Sequence, residues 1–180
     1  MLSEDGGIRV RDAALADAER LTAWAAAMAW ETERRRLDPD TLGRGVRLGL
    51  EDPARARYFV AERVGESGAV PAGTLMLTRE WSDWRAGEWW WIQSVYVPPA
   101  CRRLGVLRAL YAHVLGLARS APGVCGLRLY VARDNRAAQE AYARLGMQDP
   151  GYSMFEAELP PQRILPHGTV EGSSSGARVR

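Results

Sequence analysis

Between Glu88 and Ala132 the sequence reads strand, turn, helix, strand, and that order commits the chain to an α/β fold. Glu88 to Val97 is a run of strand formers that includes Trp89, Trp90 and Trp91 in succession. Pro98 and Pro99 end it, because proline cannot donate to a sheet ladder. Over 104–119, Leu107, Leu110, Tyr111, Val114 and Leu117 recur at the three-four spacing that lines one helix face. Gly126 to Ala132 then reads as a second apolar strand, completing a β-α-β unit.

The flanking segments extend the pattern on both sides. Ile8 to Arg11 alternates apolar and basic residues as a short strand does, and Asp12 offers an N-cap to a helix with Ala18, Leu21, Ala25 and Met28 on one face. After the charged stretch from Glu31 to Arg36, Asp38-Pro39 restarts a second helix with Leu42, Val46 and Leu50 aligned. Arg57 to Val64 and Gly73 to Arg79 read as an antiparallel pair joined through Gly65, Gly68 and Pro71. Asn135 caps a last helix that runs to Leu145 and is closed by Gly146, and Tyr152 to Leu159 supplies a final strand. The expected order is β-α-α-β-β-β-α-β-α-β, a mixed and mostly antiparallel sheet flanked by about four helices. It occupies one domain over 8–159, with a flexible N-terminus at 1–7 and a flexible tail at 160–180 that carries the serine run Ser173 to Ser175.

Composition narrows the function classes. With 47% apolar and 26% charged residues, a chain of 180 residues can bury a sizeable core. The net charge is +2 with the signs interleaved, so no basic stripe points to nucleic acid. All 24 basic residues are arginine, which favours planar, bidentate recognition of phosphate or carboxylate. Cys101 and Cys125 lack the spacing of a disulfide framework or a zinc site, so no metal and a reducing cytoplasm are expected. The N-terminal residues do not read as a signal peptide, and no window has the apolar length of a membrane helix.

The stretch that carries chemistry is the turn between the tryptophan strand and its helix. Val95, Tyr96 and Val97 end the strand, and Arg102, Arg103, Leu104, Gly105, Val106, Leu107 and Arg108 lead into the helix. Backbone N–H groups at a helix start, a glycine that allows close approach and adjacent arginines make an anion cradle suited to a pyrophosphate. The turn has neither the phosphate-loop pattern G-x-x-x-x-G-K-[ST] nor the dinucleotide fingerprint G-x-G-x-x-G.

Arg102-Arg103-Leu104-Gly105-Val106-Leu107 resembles the coenzyme A loop [RQ]-x-x-G-x-[GA] of the GCN5-related N-acetyltransferase family, departing from it at Leu107. Asn135 to Met147 is similar to the same family's later segment N-x-x-A-x-x-x-Y-x-x-x-G-[FM], and Ile8 to Asp12 with Asp17, Ala18 and Leu21 resembles its opening strand and helix. The resemblance spans about residues 8–159 and implies transfer of an acetyl group from acetyl-CoA to a primary amine by direct attack in a ternary complex, without a metal. It implies that the main chain of Val95 to Val97 holds the pantetheine arm and the thioester carbonyl, that 102–108 and Asn135 serve the cofactor, and that Tyr142 is the general acid. A phenol with an ordinary pKa near 10 can protonate a departing thiolate.

The proton acceptor stays open. Glu31 and Glu33 lie at the junction of the first two helices, which borders the acceptor site in this family, and Glu88 is a third carboxylate. Trp89 and Trp91 face away from Trp90 on their strand, which fits either core packing or an aromatic wall. Glu31, Glu33 and the tryptophans point to a cationic amine with an apolar body, whether a small molecule or a peptide N-terminus; a homodimer is compatible with the sequence. The competing class is a non-catalytic acyl-CoA-binding or sensing module, which Leu107 at the departing position favours and Tyr142 opposes.

Overall fold

The computed structural model describes residues 7–66, 68–157 and 159. Its contacts divide the chain into two units, Met1–Met147 and Gln148–Arg180. The first unit holds every regular element: β1 (Ile8–Asp12), α1 (Ala18–Glu33), α2 (Pro39–Glu51), β2 (Arg57–Gly65), β3 (Gly68–Ser82), β4 (Gly87–Tyr96), α3 (Val106–Ser120), β5 (Val124–Arg128) and α4 (Arg136–Arg144). The strands form one sheet in chain order, β1 to β5. The first three pairings are antiparallel and β4 with β5 is parallel, so α3 is the crossover that a parallel neighbour requires. This is the expected mixed α/β architecture.

Helices cover both sheet faces because β2 alternates. Phe59 belongs to a core with Leu75, Leu77, Trp90 and Ile92 that receives Val106, Leu110, Tyr111, Val114 and Ala118 of α3. Its neighbour Val60 points the other way, into Ala18 and Leu21 of α1 and Val46 of α2. Phe59, Leu75 and Leu110 are completely buried, each contributing about 1.5–3 kcal/mol by burial. Local signals set the helix ends as the sequence indicates. Asp38 accepts from the Thr41 N–H at 2.8 Å with Pro39 in the first position of α2, and Asn135 accepts from the Ala138 N–H at 3.1 Å.

Three local expectations are corrected. Asp12 does not cap α1; it ends β1, where its carboxylate accepts from Arg57 at 2.8 Å. A 3-10 turn at Leu15–Asp17 intervenes, fixed by Asp17, which accepts from the Ala14 N–H at 2.8 Å and from both terminal nitrogens of Arg11. The fifth strand covers Val124–Arg128, so 129–132 leave the sheet early. Residues 152–157 form no strand, and Tyr152 and Phe155 are 82% and 94% exposed. A segment able to extend becomes a strand only where a ladder partner satisfies the backbone, and residues 152–157 have no such ladder among the described residues. Residues 1–6 and 160–180, with most of the two expected flexible segments, lie outside the described residues.

The open edge of the sheet is braced by charge. Glu62 of β2, only 6% exposed, accepts from Arg9 at 2.7 Å and from Arg11 at 2.7 Å, and Arg11 also grips Asp17 at 2.7 and 2.9 Å. Hydrogen bonds from Arg9 and Arg11 hold the Glu62 carboxyl below the ordinary glutamate range, and Arg11 does the same for Asp17. A carboxyl whose folded pKa is depressed adds stability that is present above its ordinary pKa and lost as pH falls through the folded value. Glu62→Gln should therefore lower unfolding stability by roughly 1–3 kcal/mol at neutral pH. Urea titrations should show the gap between parent and variant closing as the solution is acidified below the ordinary glutamate pKa.

Candidate active site

The site is built on a fork in the sheet. β4 pairs with β5 only from Glu88 to Trp91, where Trp91 stands opposite Arg128. From Ile92 to Tyr96 its sole neighbour among the described residues is β3, and the register shift between Met76 and Leu77 leaves Gln93 as an extra residue in β4. A bulge bends its strand and re-aims the main chain, so the end of β4 presents unladdered N–H and C=O groups on the side where β5 has turned away. Side chains bridge the mouth of this fork. The Tyr130 hydroxyl donates to Gln93 Oε1 at 3.2 Å, Gln93 Nε2 donates to Thr78 Oγ1 at 2.8 Å, and the Tyr130 ring leans on Trp91 with centroids 6.2 Å apart.

Beside the fork the chain turns into α3. Arg103 and Gly105 both take left-handed conformations, with φ of +65° and +82°. Gly105 is the N-cap of α3 and supplies no capping side chain, so the N–H groups of Val106, Leu107 and Arg108 have no helical partner. Those donors, the positive helix end and the exposed Arg102, Arg103 and Arg108 fit a pyrophosphate. A Cβ at Gly105 would come no nearer than 3.9 Å to Ile8, so a larger residue there is opposed by backbone conformation, not by crowding. Leu107, which departs from the family pattern, is half-buried and keeps its N–H in the first turn.

The fork and the turn are joined to α1 by three side chains. Tyr96, at the end of β4 and 8% exposed, donates its hydroxyl to Glu31 Oε1 at 2.8 Å. Arg102 donates through Nη2 to Glu31 Oε2 and through Nε to the Val97 carbonyl at 2.9 Å. Its guanidinium also stands over the Tyr96 ring, 6.0 Å from the centroid. The hydrogen bond from Arg102, then that from Tyr96, hold the Glu31 carboxyl below the usual glutamate range, while burial and then Glu31 push the Tyr96 phenol up. A carboxylate with both oxygens engaged is a weak proton acceptor, so this geometry gives Glu31 the character of an anchor. Glu33 ends α1, is exposed, and has no partner among the described residues; Glu88 faces Arg79 at 3.8 Å.

Tyr142 sits in the last turn of α4 with a half-buried ring, and its hydroxyl has no hydrogen-bond partner among the described residues. Burial raises its pKa, so the phenol stays protonated at neutral pH. One turn later Leu145 packs on the same core as Val95 and Val97. The Asn135 carboxamide oxygen is occupied in capping α4, which leaves its NH₂ group as the free donor. Of the tryptophans, Trp90 is core; Trp89 and Trp91 take the opposite face, where Arg128 stacks 4.1 Å from the Trp89 centroid and Glu80 accepts from Arg128 at 2.7 Å and from the Trp91 indole. Trp84 is 88% exposed. The role of the Tyr96 side chain carries no local sequence signal, because the partners Glu31 and Tyr96 lie 65 residues apart.

Comparison with known proteins places this geometry. Residues 15–147 match the Acetyltransferase (GNAT) family, and the chain belongs to that family. The solved structure of a possible acetyltransferase from Clostridium difficile 630 is 34% identical over 86% of this chain and 99% of that one, with a TM-score of 0.78. Ribosomal-protein-alanine N-acetyltransferase from Brucella melitensis biovar Abortus 2308 shares the fold at 16% identity, covering 85% of this chain and all of that one, TM-score 0.65. The aminoglycoside N-acetyltransferase AAC(6')-Iy, solved in complex with CoA, shares it at 15% identity over 88% and 99% of the two chains, TM-score 0.68. No curated protein matches the chain. Among the described residues no helix is long and apolar enough to cross a membrane.

The engagement of Glu31 makes a direct prediction. In Arg102→Gln the carboxyl loses its largest stabilising partner, so its titration should move up toward the ordinary glutamate range, and Tyr96→Phe should move it by less. Carboxyl carbon shifts followed by NMR across the acid range measure both.

Proposed function

We propose that this chain moves an acetyl group from acetyl-CoA to the nitrogen of a primary amine, by direct attack with both substrates bound together. The observation that carries the reading is the β4–β5 fork lying beside an uncapped helix start. One element offers main-chain hydrogen bonds to an extended arm, and the other offers N–H donors and arginine charge to phosphates. Membership of the family supports acetyl transfer, and we extend it to the acetyltransferase domain over 8–159.

Bound acetyl-CoA would supply an acetyl group activated as a thioester. The N–H groups of Val106 to Arg108, with Arg102 and Arg103, would hold the pyrophosphate; the main chain of Val95 to Val97 would hold the pantetheine arm. An N–H of that strand directed at the carbonyl oxygen would stabilise the negative charge that develops there. The amine, deprotonated first, attacks the carbonyl carbon; its C–N bond forms as the C–S bond breaks. Tyr142 gives its phenolic proton to the leaving sulfur and is reprotonated by the proton the amine nitrogen sheds, carried through solvent. Glu33 is the junction carboxylate left free to take the acceptor's first proton. The protonated state that burial secures for Tyr142 is the one a donor needs.

Two variants test this reading. Tyr142→Phe removes the proton donor and keeps the ring, so kcat should fall by about 10²-fold or more while CoA affinity and Tm stay near the parent values. Release of free CoA thiol against a panel of amines measures it, and undiminished turnover would take Tyr142 out of the mechanism. Gly105→Val forces a β-branched residue into the left-handed region at the phosphate turn. Calorimetry should show CoA binding weakened by about tenfold or more. A parent protein that binds CoA yet transfers acetyl to no amine would favour the binding-module reading that Leu107 keeps in view.

A further inference from the structure

We propose that Glu31 sets the affinity for coenzyme A by competing with its pyrophosphate for Arg102, so that cofactor binding and the end of α1 are coupled through a single guanidinium. The inference rests on the cofactor reading above and concerns what the chain does to its own phosphate site.

Arg102 opens the phosphate turn, yet its side chain is turned back from it. Nε is fixed to the Val97 carbonyl at 2.9 Å, which tethers the stem at the end of β4, and Nη2 is given to Glu31. The carboxylate that takes it is not a passing surface partner. Its other oxygen is pinned by the hydroxyl of Tyr96, whose buried ring is packed 6.4 Å from Trp24 of α1. Glu31 is thus held where the guanidinium meets it. A phosphate approaching the start of α3 must either share the guanidinium with a carboxylate or draw it away, and in both cases the Glu31 charge opposes the cofactor.

The size of the effect follows from exposure. The Arg102 and Glu31 side chains are 46% and 36% exposed, which places the pair among partly solvated bridges that contribute about 0.2–1 kcal/mol. Converted at about 1.4 kcal/mol per tenfold, releasing Arg102 should tighten CoA binding by up to about fivefold. General repulsion between Glu31 and phosphates would have the same sign, but it does not depend on Arg102. A double-mutant cycle separates the two.

The test is calorimetric titration of the parent, Glu31→Gln, Arg102→Gln and the double variant with CoA, and with pantetheine, which lacks phosphates. Glu31→Gln should bind CoA more tightly than the parent, by up to about fivefold, and raised salt should erase most of that gain. Arg102→Gln should bind about tenfold more weakly, since it removes a charged donor to phosphate. Adding Glu31→Gln to Arg102→Gln should then change nothing, and pantetheine should not distinguish Glu31→Gln from the parent. Glu31→Ala, which leaves no group able to reach Arg102, should repeat the gain if Glu31→Gln is compromised in Tm. Unchanged or weaker CoA binding in both Glu31 variants overturns the proposal, as does an equal gain in the Arg102→Gln background. A parent that binds no CoA at all would instead remove the cofactor reading on which the proposal stands.

Discussion

The proposed cofactor site depends on β4 losing one of its two neighbours. A strand inside a sheet has its backbone groups committed on both sides, and only where the ladder opens can a non-protein chain use them. Here the opening has two physical causes. The parallel partner β5 is only five residues long and leaves the sheet after Arg128, and the extra residue at Gln93 bends β4 just past that point. The gap is kept from collapsing by bulky groups at its mouth, where Tyr130, Gln93, Thr78 and Trp91 interlock. The rest of the sheet can be rigid because its other pairings are antiparallel and continuous along their strands apart from single irregularities.

The same strand carries both ends of the site. Its tip holds Tyr96, whose hydroxyl reaches α1, and the following carbonyl, at Val97, receives Arg102 from the phosphate turn. Helix α3 is seated by apolar burial, not by capping, since Val106 and Leu110 are buried while Gly105 contributes no side chain. Burial therefore does the work a cap would do, and the first-turn N–H groups are left for a ligand. In a chain with no lysine, the cations near these donors are all guanidiniums, which can divide their hydrogen bonds among partners; Arg102 serves a carbonyl and a carboxylate at once.

How much of this was legible in the sequence depends on how local each signal is. Helix ends written by one residue were readable: Asp38 before Pro39, Asn135 before α4, and the glycine that opens α3. Strand existence was readable from β-formers between turn residues, and the Arg102 to Leu107 turn from its charges and glycine. Asp12 misled because two acidic residues compete at the start of α1, and Arg11 recruits Asp17 for the intervening turn. Tyr152 to Leu159 misled because residue type records only a capacity to extend, and residues 152–157 form no ladder among the described residues. The Glu31–Tyr96–Arg102 cluster was beyond reach for a different reason: all three residues were flagged, but their union is a product of tertiary geometry between elements 65 and 71 residues apart.

That union also changes the charge presented at the end of α1. The expectation of a cationic amine drew on the negative charges of Glu31 and Glu33, read as neighbours at the end of α1. With Glu31 neutralised by Arg102, one of those charges is already answered from within the protein. Around the same junction Trp30 is flanked by two more cations, Arg34 at 5.7 Å and Arg36 at 5.4 Å from its ring. A carboxylate that the fold has already paired attracts a cation far less than a free one does, because the ligand must displace a partner before it gains anything. The pairing of Glu31 leaves Glu33 as the carboxylate of the α1–α2 junction that has no partner among the described residues. Glu33 is still open to a cation, whereas the ring of Trp89 is already covered by guanidiniums of the protein, Arg128 at 4.1 Å and Arg85 at 5.2 Å from its centroid.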